Sequence, residues 1–191
     1  MKFLYFLLAI PVLGVAQGQE VITAANFDSE KMNKALVTEF NKFRKERNLD
    51  TLIYSKALFD TVSYQNCVEI SNSGKLYHPD ITERWKNNEV KRLIEAESKA
   101  LFNDNIARST TGLPAMEYWE NIFRWSITSF ESYESMAKYA IENWEKSPKH
   151  QATQNTSFLD EGLPGFFACH SAFIPNGQIY LVINFVRVIR S

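Results

Sequence analysis

The chain has 191 residues, of which 45% are hydrophobic and 14% aromatic, so it is globular rather than intrinsically disordered. Its 21 lysines and arginines nearly balance 22 aspartates and glutamates, for a formal net charge of −1. This balance argues against a phosphate-binding surface, so nucleic acid is not an expected partner.

The N-terminus predicts a secretory signal peptide. A lysine at position 2 precedes an apolar run from Phe3 to Val15, and small residues then lead into the polar segment 17–20. We expect cleavage after Ala16, or as late as Gly18. The apolar run is shorter than the about 20 residues that cross a bilayer, so we expect no transmembrane anchor in the mature chain. The protein is therefore predicted to be secreted or periplasmic.

Hydrophobic periodicity predicts three helices. The first runs between Asp28 and Asn48, with apolar residues three and four apart and Asp28 or Ser29 as N-cap. A second begins at Ser55 as N-cap and ends near Gly74; its inner stripe includes the polar Asn66, which needs a partner if buried.

The third predicted helix runs from Ser132 to Lys146 and is ended by Pro148. Between residues 75 and 114 the pattern is less regular. It indicates a loop around His78 and a charged surface helix from Val90 to Phe102.

The C-terminal region predicts a β-hairpin. Apolar runs from Phe166 to Ile174 and from Ile179 to Ile189 flank Asn176-Gly177, which favours a type I′ turn. The second run barely alternates, as expected for a strand buried on both faces between helices. With no linker or repeat, residues 28–191 are predicted to form one domain.

Two cysteines, Cys67 and Cys169, leave two alternatives open. In an exported protein a disulfide between them can persist. The alternative is that both are buried thiols. Sequence alone does not show whether their Cα atoms come within bridging distance.

Five short motifs, in chain order, resemble the CAP superfamily of cysteine-rich secretory, antigen 5 and pathogenesis-related proteins, in its bacterial SCP-domain form. Each motif is unspecific alone, but together they extend over most of the predicted domain. They are Asn41-x-x-Arg44, the segment 52–66 with its Y-S-x-x-L pattern, His78 after the second helix, Glu120-Asn121-Ile122, and Trp144-x-x-Ser147-Pro148-x-His150.

The resemblance implies an α+β fold, an α-β-α sandwich with a small, mainly antiparallel sheet and helices on both faces. It also implies a cleft formed by His78, Glu120, Ser147 and His150. In some family members, two histidines and two acidic residues hold zinc or a similar cation there. Here Ser147 replaces the second acidic residue. Asn41, Arg44, Asn121 and Trp144 are expected to be structural.

Two neutral imidazoles and one carboxylate form a reasonable ligand set for a divalent metal, so His78, Glu120 and His150 are predicted metal ligands. Without the resemblance, both histidines are more simply surface residues, and Ser147 a turn hydroxyl. The expected function is binding, of a divalent cation and of a small apolar molecule or a protein. The alternatives are a metal-assisted hydrolase with Glu120 as base, or an interaction module with a purely structural cleft.

Overall fold

The structure, a computed structural model, describes residues 21–78 and 88–191. The predicted signal peptide and its cleavage site lie outside these residues. No helix in the described ranges is long and apolar enough to cross a membrane.

The described residues form a set of short and long elements in mixed order. In chain order they are β1 (Ile22–Thr23), α1 (Ser29–Glu46), β2 (Ile53–Tyr54), α2 (Lys56–Leu58), a π-helical turn (Phe59–Ser63), α3 (Tyr64–Ser73), α4 (Asn88–Phe102), β3 (Met116–Ser126), β4 (Ser129–Phe130), α5 (Tyr133–Glu145), α6 (Pro148–Asn155), β5 (Phe166–Ile174) and β6 (Gln178–Val188).

A four-stranded sheet in the order β2-β5-β6-β3 forms the middle layer. The β2–β5 pair is parallel and the other two pairs are antiparallel, while β1 and β4 form a separate two-stranded sheet. Strand β6 lies in the interior, and its residues 179–186 are all fully buried. The predicted mainly antiparallel sheet and its doubly buried strand are confirmed.

Helices cover both faces of this sheet, which confirms the α-β-α sandwich. Alternate residues of β6 contribute to the two sides: Leu181 and Ile183 pack with residues of α1 and α5. On the other face Tyr180 and Val182 pack with α3, and Val186 packs with α2 and α4.

The three predicted helices are present with capping of the expected kind. The Asp28 carboxylate accepts hydrogen bonds from the backbone N–H groups of Glu30 and Lys31 at the start of α1. The hydroxyls of Ser55 and Ser132 cap α2 and α5 in the same way. The second predicted helix is continuous in sequence but contains the π-helical turn.

Two local features differ from the sequence predictions, and a third agrees. Pro148 does not only end a helix: it stands at the first position of α6, where its missing N–H costs nothing. The hairpin turn has three residues, with positive φ at Gly177 alone, because Pro175 holds a negative φ; this is not a type I′ turn. The predicted charged surface helix from Val90 to Phe102 is present as α4, with one face buried as in other surface helices.

The two cysteines are free, buried thiols. Cys67 on α3 packs in the apolar layer on one side of the sheet, and Cys169 on β5 packs on the other. Burial raises the pKa of both thiols, which keeps them protonated and unreactive.

The Asn41-x-x-Arg44 motif organises the segment after α1. The Asn41 side chain exchanges two hydrogen bonds with the backbone of Leu52, at 3.0 and 2.8 Å. The fully buried Arg44 pairs with Asp50 at 2.9 Å, and it also donates to the carbonyl oxygens of Gln154 and Thr156 at the end of α6.

We expect Arg44→Ala to lower the free energy of unfolding by about 3–5 kcal/mol, because the Asp50 carboxylate, 4% exposed, loses its cation. Chemical denaturation measures the change. Lys42→Ala is the matched control: this cation lies one half-turn away, is 59% exposed, and should change stability by no more than about 0.5 kcal/mol. Equal effects of the two substitutions would contradict a structural role for the Arg44 pair.

Candidate functional site

Glu120 is a buried carboxylate in the middle of β3. Its side chain has no exposed surface, and it lies opposite Asn184 of β6 in the sheet register. The Oε2 atom accepts two amide hydrogen bonds, from Asn66 Nδ2 at 2.5 Å and Asn184 Nδ2 at 2.8 Å. These donors compensate the burial of the carboxylate, which would otherwise be strongly unfavourable.

The Asn184 amide is itself held by two hydroxyl groups. Ser63 donates to its Oδ1 at 2.6 Å, and its Nδ2 also lies 2.5 Å from the Tyr118 hydroxyl. Ser63 is the last residue of the π-helical turn, and Asn66 follows in the first turn of α3. A π-helical turn shifts the face that the following residues present, and such turns frequently occur at functional sites.

His78 contacts the other oxygen of this carboxylate. Its Nδ1 lies 2.9 Å from Glu120 Oε1, and its side chain is 49% exposed. The pair therefore joins a fully buried carboxylate to an imidazole that reaches solvent.

His150 lies in the first turn of α6, where the Ser147-Pro148 sequence begins the helix. Its side chain is half-buried, and its backbone carbonyl accepts a hydrogen bond from Asn121 Nδ2 at 3.3 Å. Burial, and secondarily the charge of nearby His78, lowers the pKa of His150. This favours a neutral imidazole.

Ser147 and Trp144 have local structural positions. Ser147 occupies the N-cap position of α6 without a side-chain capping bond. The buried Trp144 indole donates to the Ile122 carbonyl at 2.9 Å, so α5 and α6 together cover the edge of β3.

The structure thus brings His78 and Glu120 into direct contact and places His150 within electrostatic range of His78. Across residues 21–78 and 88–191, no group of three or more His, Cys, Asp or Glu side chains is arranged to hold a metal ion. Both oxygens of Glu120 face protein donors. The geometry is that of a buried carboxylate in contact with a half-exposed imidazole.

Sequence reasoning did not identify Ser63 and Asn184 as parts of this site. A usable signal exists: Asn184 is the one uncharged polar residue in the apolar run 179–189, as Asn66 is in its helical stripe. A polar residue in each of two buried stripes indicates a shared internal partner.

His170 lies apart from this site. It is buried on β5, with Nδ1 3.3 Å from Asn33 Nδ2 and its ring 4.9 Å from that of Tyr64. Burial lowers the pKa of His170.

No protein-family model matches the sequence, and no curated protein is significantly similar to it. Among solved structures, the chain matches an outer surface protein from Borrelia burgdorferi with a TM-score of 0.54 and 13% identity, over 86% of this chain and 97% of that one. At this identity the likeness is one of fold.

Two further matches are a cysteine-rich secretory protein from Staphylococcus aureus and an extracellular SCP-domain protein from Bacillus anthracis. Their TM-scores are 0.45 and 0.47, at 12% and 11% identity. The matches cover 85% and 83% of this chain but only 40% and 41% of theirs.

The lowered pKa values of His150 and His170 predict a loss of stability at mildly acidic pH. Below about pH 6.5 the unfolded chain binds protons that the folded histidines resist, so the free energy of unfolding falls as pH decreases; above that value the two groups contribute no pH dependence. Denaturation between pH 8 and pH 5 measures this. The His150→Gln/His170→Gln variant should have a flatter profile, and an unchanged slope would refute the assignment.

Proposed function

We propose that the chain is an exported CAP-type binding protein whose functional site is the cleft around His78, Glu120 and His150. In this proposal the two imidazoles bind a divalent cation such as zinc. Besides the cation, the cleft binds a small apolar molecule or a protein. The observation on which the proposal rests is the His78–Glu120 contact, because a buried carboxylate bonded to a half-exposed imidazole is a common support for a metal-binding histidine.

The order of the motifs supports the same proposal. Asn121 contacts the backbone of His150, and Trp144 anchors the preceding helix to β3. Residues far apart in sequence are therefore joined around one edge strand.

The donor chemistry fits a cation with a preference for nitrogen ligands. A lowered pKa keeps His150 neutral near pH 7, and a neutral imidazole is the ligand form. His78 uses Nδ1 toward Glu120, which leaves Nε2 as its ligand atom. Ser147 adds no carboxylate, so water or a group from a bound partner would complete the coordination.

The hydrolase alternative, with Glu120 as base, receives less support. A general base must reach the proton that it removes, whereas Asn66, Asn184 and His78 already contact the two oxygens of this carboxylate. No described feature specifically favours hydrolysis.

Zinc titration of the purified protein tests the proposal. We expect about one zinc ion per wild-type chain, and a loss of affinity exceeding about 100-fold in the His78→Ala/His150→Ala variant, since even outer-shell changes cost 10–100-fold. His170→Ala is the matched control and should bind zinc like the wild type. Equal uptake by wild type and double variant would eliminate the metal proposal.

Two further measurements separate the remaining alternatives. Solvent extraction and mass spectrometry of the purified protein test for a bound apolar molecule. A peptide and ester panel, assayed with zinc, tests for hydrolysis; activity that Glu120→Gln abolishes would replace the binding proposal with the hydrolase.

A further inference from the structure

We propose that Asn66 and Asn184, here called the asparagine clamp, are positioning residues that fix the tautomer of His78. The clamp does so by holding the Glu120 carboxylate, which only accepts hydrogen bonds, against His78 Nδ1. The tautomer itself follows from contacts within the chain, and only its consequence for ligand choice rests on the proposed function.

The clamp determines which carboxylate oxygen faces His78. Both of its amide nitrogens donate to Oε2, at 2.5 and 2.8 Å, and an amide N–H group has no acceptor role. Oε1 is therefore the oxygen that remains for His78, and it lies 2.9 Å from Nδ1.

The hydrogen of that contact must belong to the imidazole. An ionised carboxylate oxygen only accepts hydrogen bonds, so His78 Nδ1 carries the hydrogen. In a neutral ring the other nitrogen, Nε2, then has a free lone pair. The half-exposed side chain can offer this lone pair to a ligand from solution.

The orientation of the clamp is fixed by its surroundings. Reversing the Asn184 amide would place its Oδ1 against Glu120 Oε2, two acceptors in contact, whereas the Ser63 hydroxyl is able to donate or accept in either orientation. Asn66 is fully buried, and its Oδ1 has no hydrogen-bond partner among the described residues. Its orientation is therefore set by the Glu120 bond alone, which a charged acceptor strengthens.

The class of metal ion that the site prefers follows from the burial of Glu120 and the exposure of His78. Because the Glu120 carboxylate has no exposed surface while the His78 imidazole reaches solvent, the site offers imidazole nitrogen rather than carboxylate oxygen. Imidazole suits zinc, copper and nickel, whereas calcium and magnesium require oxygen ligands. Under the proposed function, the cleft selects the first group over the second.

The sharpest test is the Glu120→Gln variant, read by nitrogen-15 NMR of the His78 ring at pH 8 without metal. The clamp donors require the carbonyl oxygen of the new glutamine at the Oε2 position, so its NH₂ group must face His78 Nδ1. Nδ1 must then accept. We expect the Nδ1–H tautomer in the wild type and the Nε2–H tautomer in Glu120→Gln.

Asn66→Ala tests the clamp itself. With one of its two amide donors removed, the Glu120 carboxylate should move away from His78 in part of the molecules. That part should return to the Nε2–H form, and zinc binding should weaken about tenfold, the lower range for outer-shell residues. Asn143→Ala is the matched control, because this asparagine donates to Tyr139 within α5 and is outside the Glu120 hydrogen-bond network. It should change neither quantity. Should Asn66→Ala fail to fold, the Glu120→Gln spectrum still decides the proposal.

The results separate this proposal from the proposed function. An Nε2–H ring in the wild type, or an unchanged tautomer in Glu120→Gln, would overturn the positioning role whatever the zinc titration shows. The expected tautomers together with no zinc uptake would support the clamp and remove the metal function. Zinc bound no more tightly than calcium would overturn the inferred ligand class.

Discussion

The buried charge of Glu120 is the constraint on which the site depends. A carboxylate without exposed surface is tolerated only when donors surround it, and here they come from three separate parts of the chain. Asn66 belongs to the helical layer, Asn184 to the central strand and His78 to the segment after α3. The carboxylate therefore joins a helix to the sheet and, by the same contacts, determines how an imidazole meets solvent.

A second polar network, centred on Arg44, holds the helix that carries His150. Arg44 donates to two carbonyl oxygens at the C-terminal end of α6, and His150 lies in the first turn of that helix. Gln154 ties the same helix to α5 through the Ile141 carbonyl. Arg44, a residue of the first motif, is thus structural. The position of His150 nevertheless depends on Arg44, because α6 is short and polar and has little apolar surface with which to pack against its neighbours.

The sequence predicts most of the architecture because helices α1 and α5 and the hairpin have strong periodicity and clear caps. The sequence pattern does not predict strand β3, because its two faces and its outer edge contact different neighbours and its burial therefore does not alternate regularly. The π-helical turn depends on tertiary contacts, among them the bond from Ser63 to Asn184. The helix propensities of its residues do not indicate it. For the site, the ordered motifs predict the histidines and Glu120, but only the three-dimensional contacts show that Asn66, Asn184 and His78 surround that carboxylate.

The serine at position 147 is consistent with a neutral His150. A carboxylate beside His150 would favour its protonated form, whereas burial and the charge of His78 both act in the opposite direction. Ser147 adds no such charge, so burial and His78 favour a neutral His150 near pH 7. The negative charge of Glu120 is shared among three N–H donors. Under the proposed function, a bound divalent cation would outweigh this single negative charge, so an anionic coordinating group would complete the site more favourably than a neutral one.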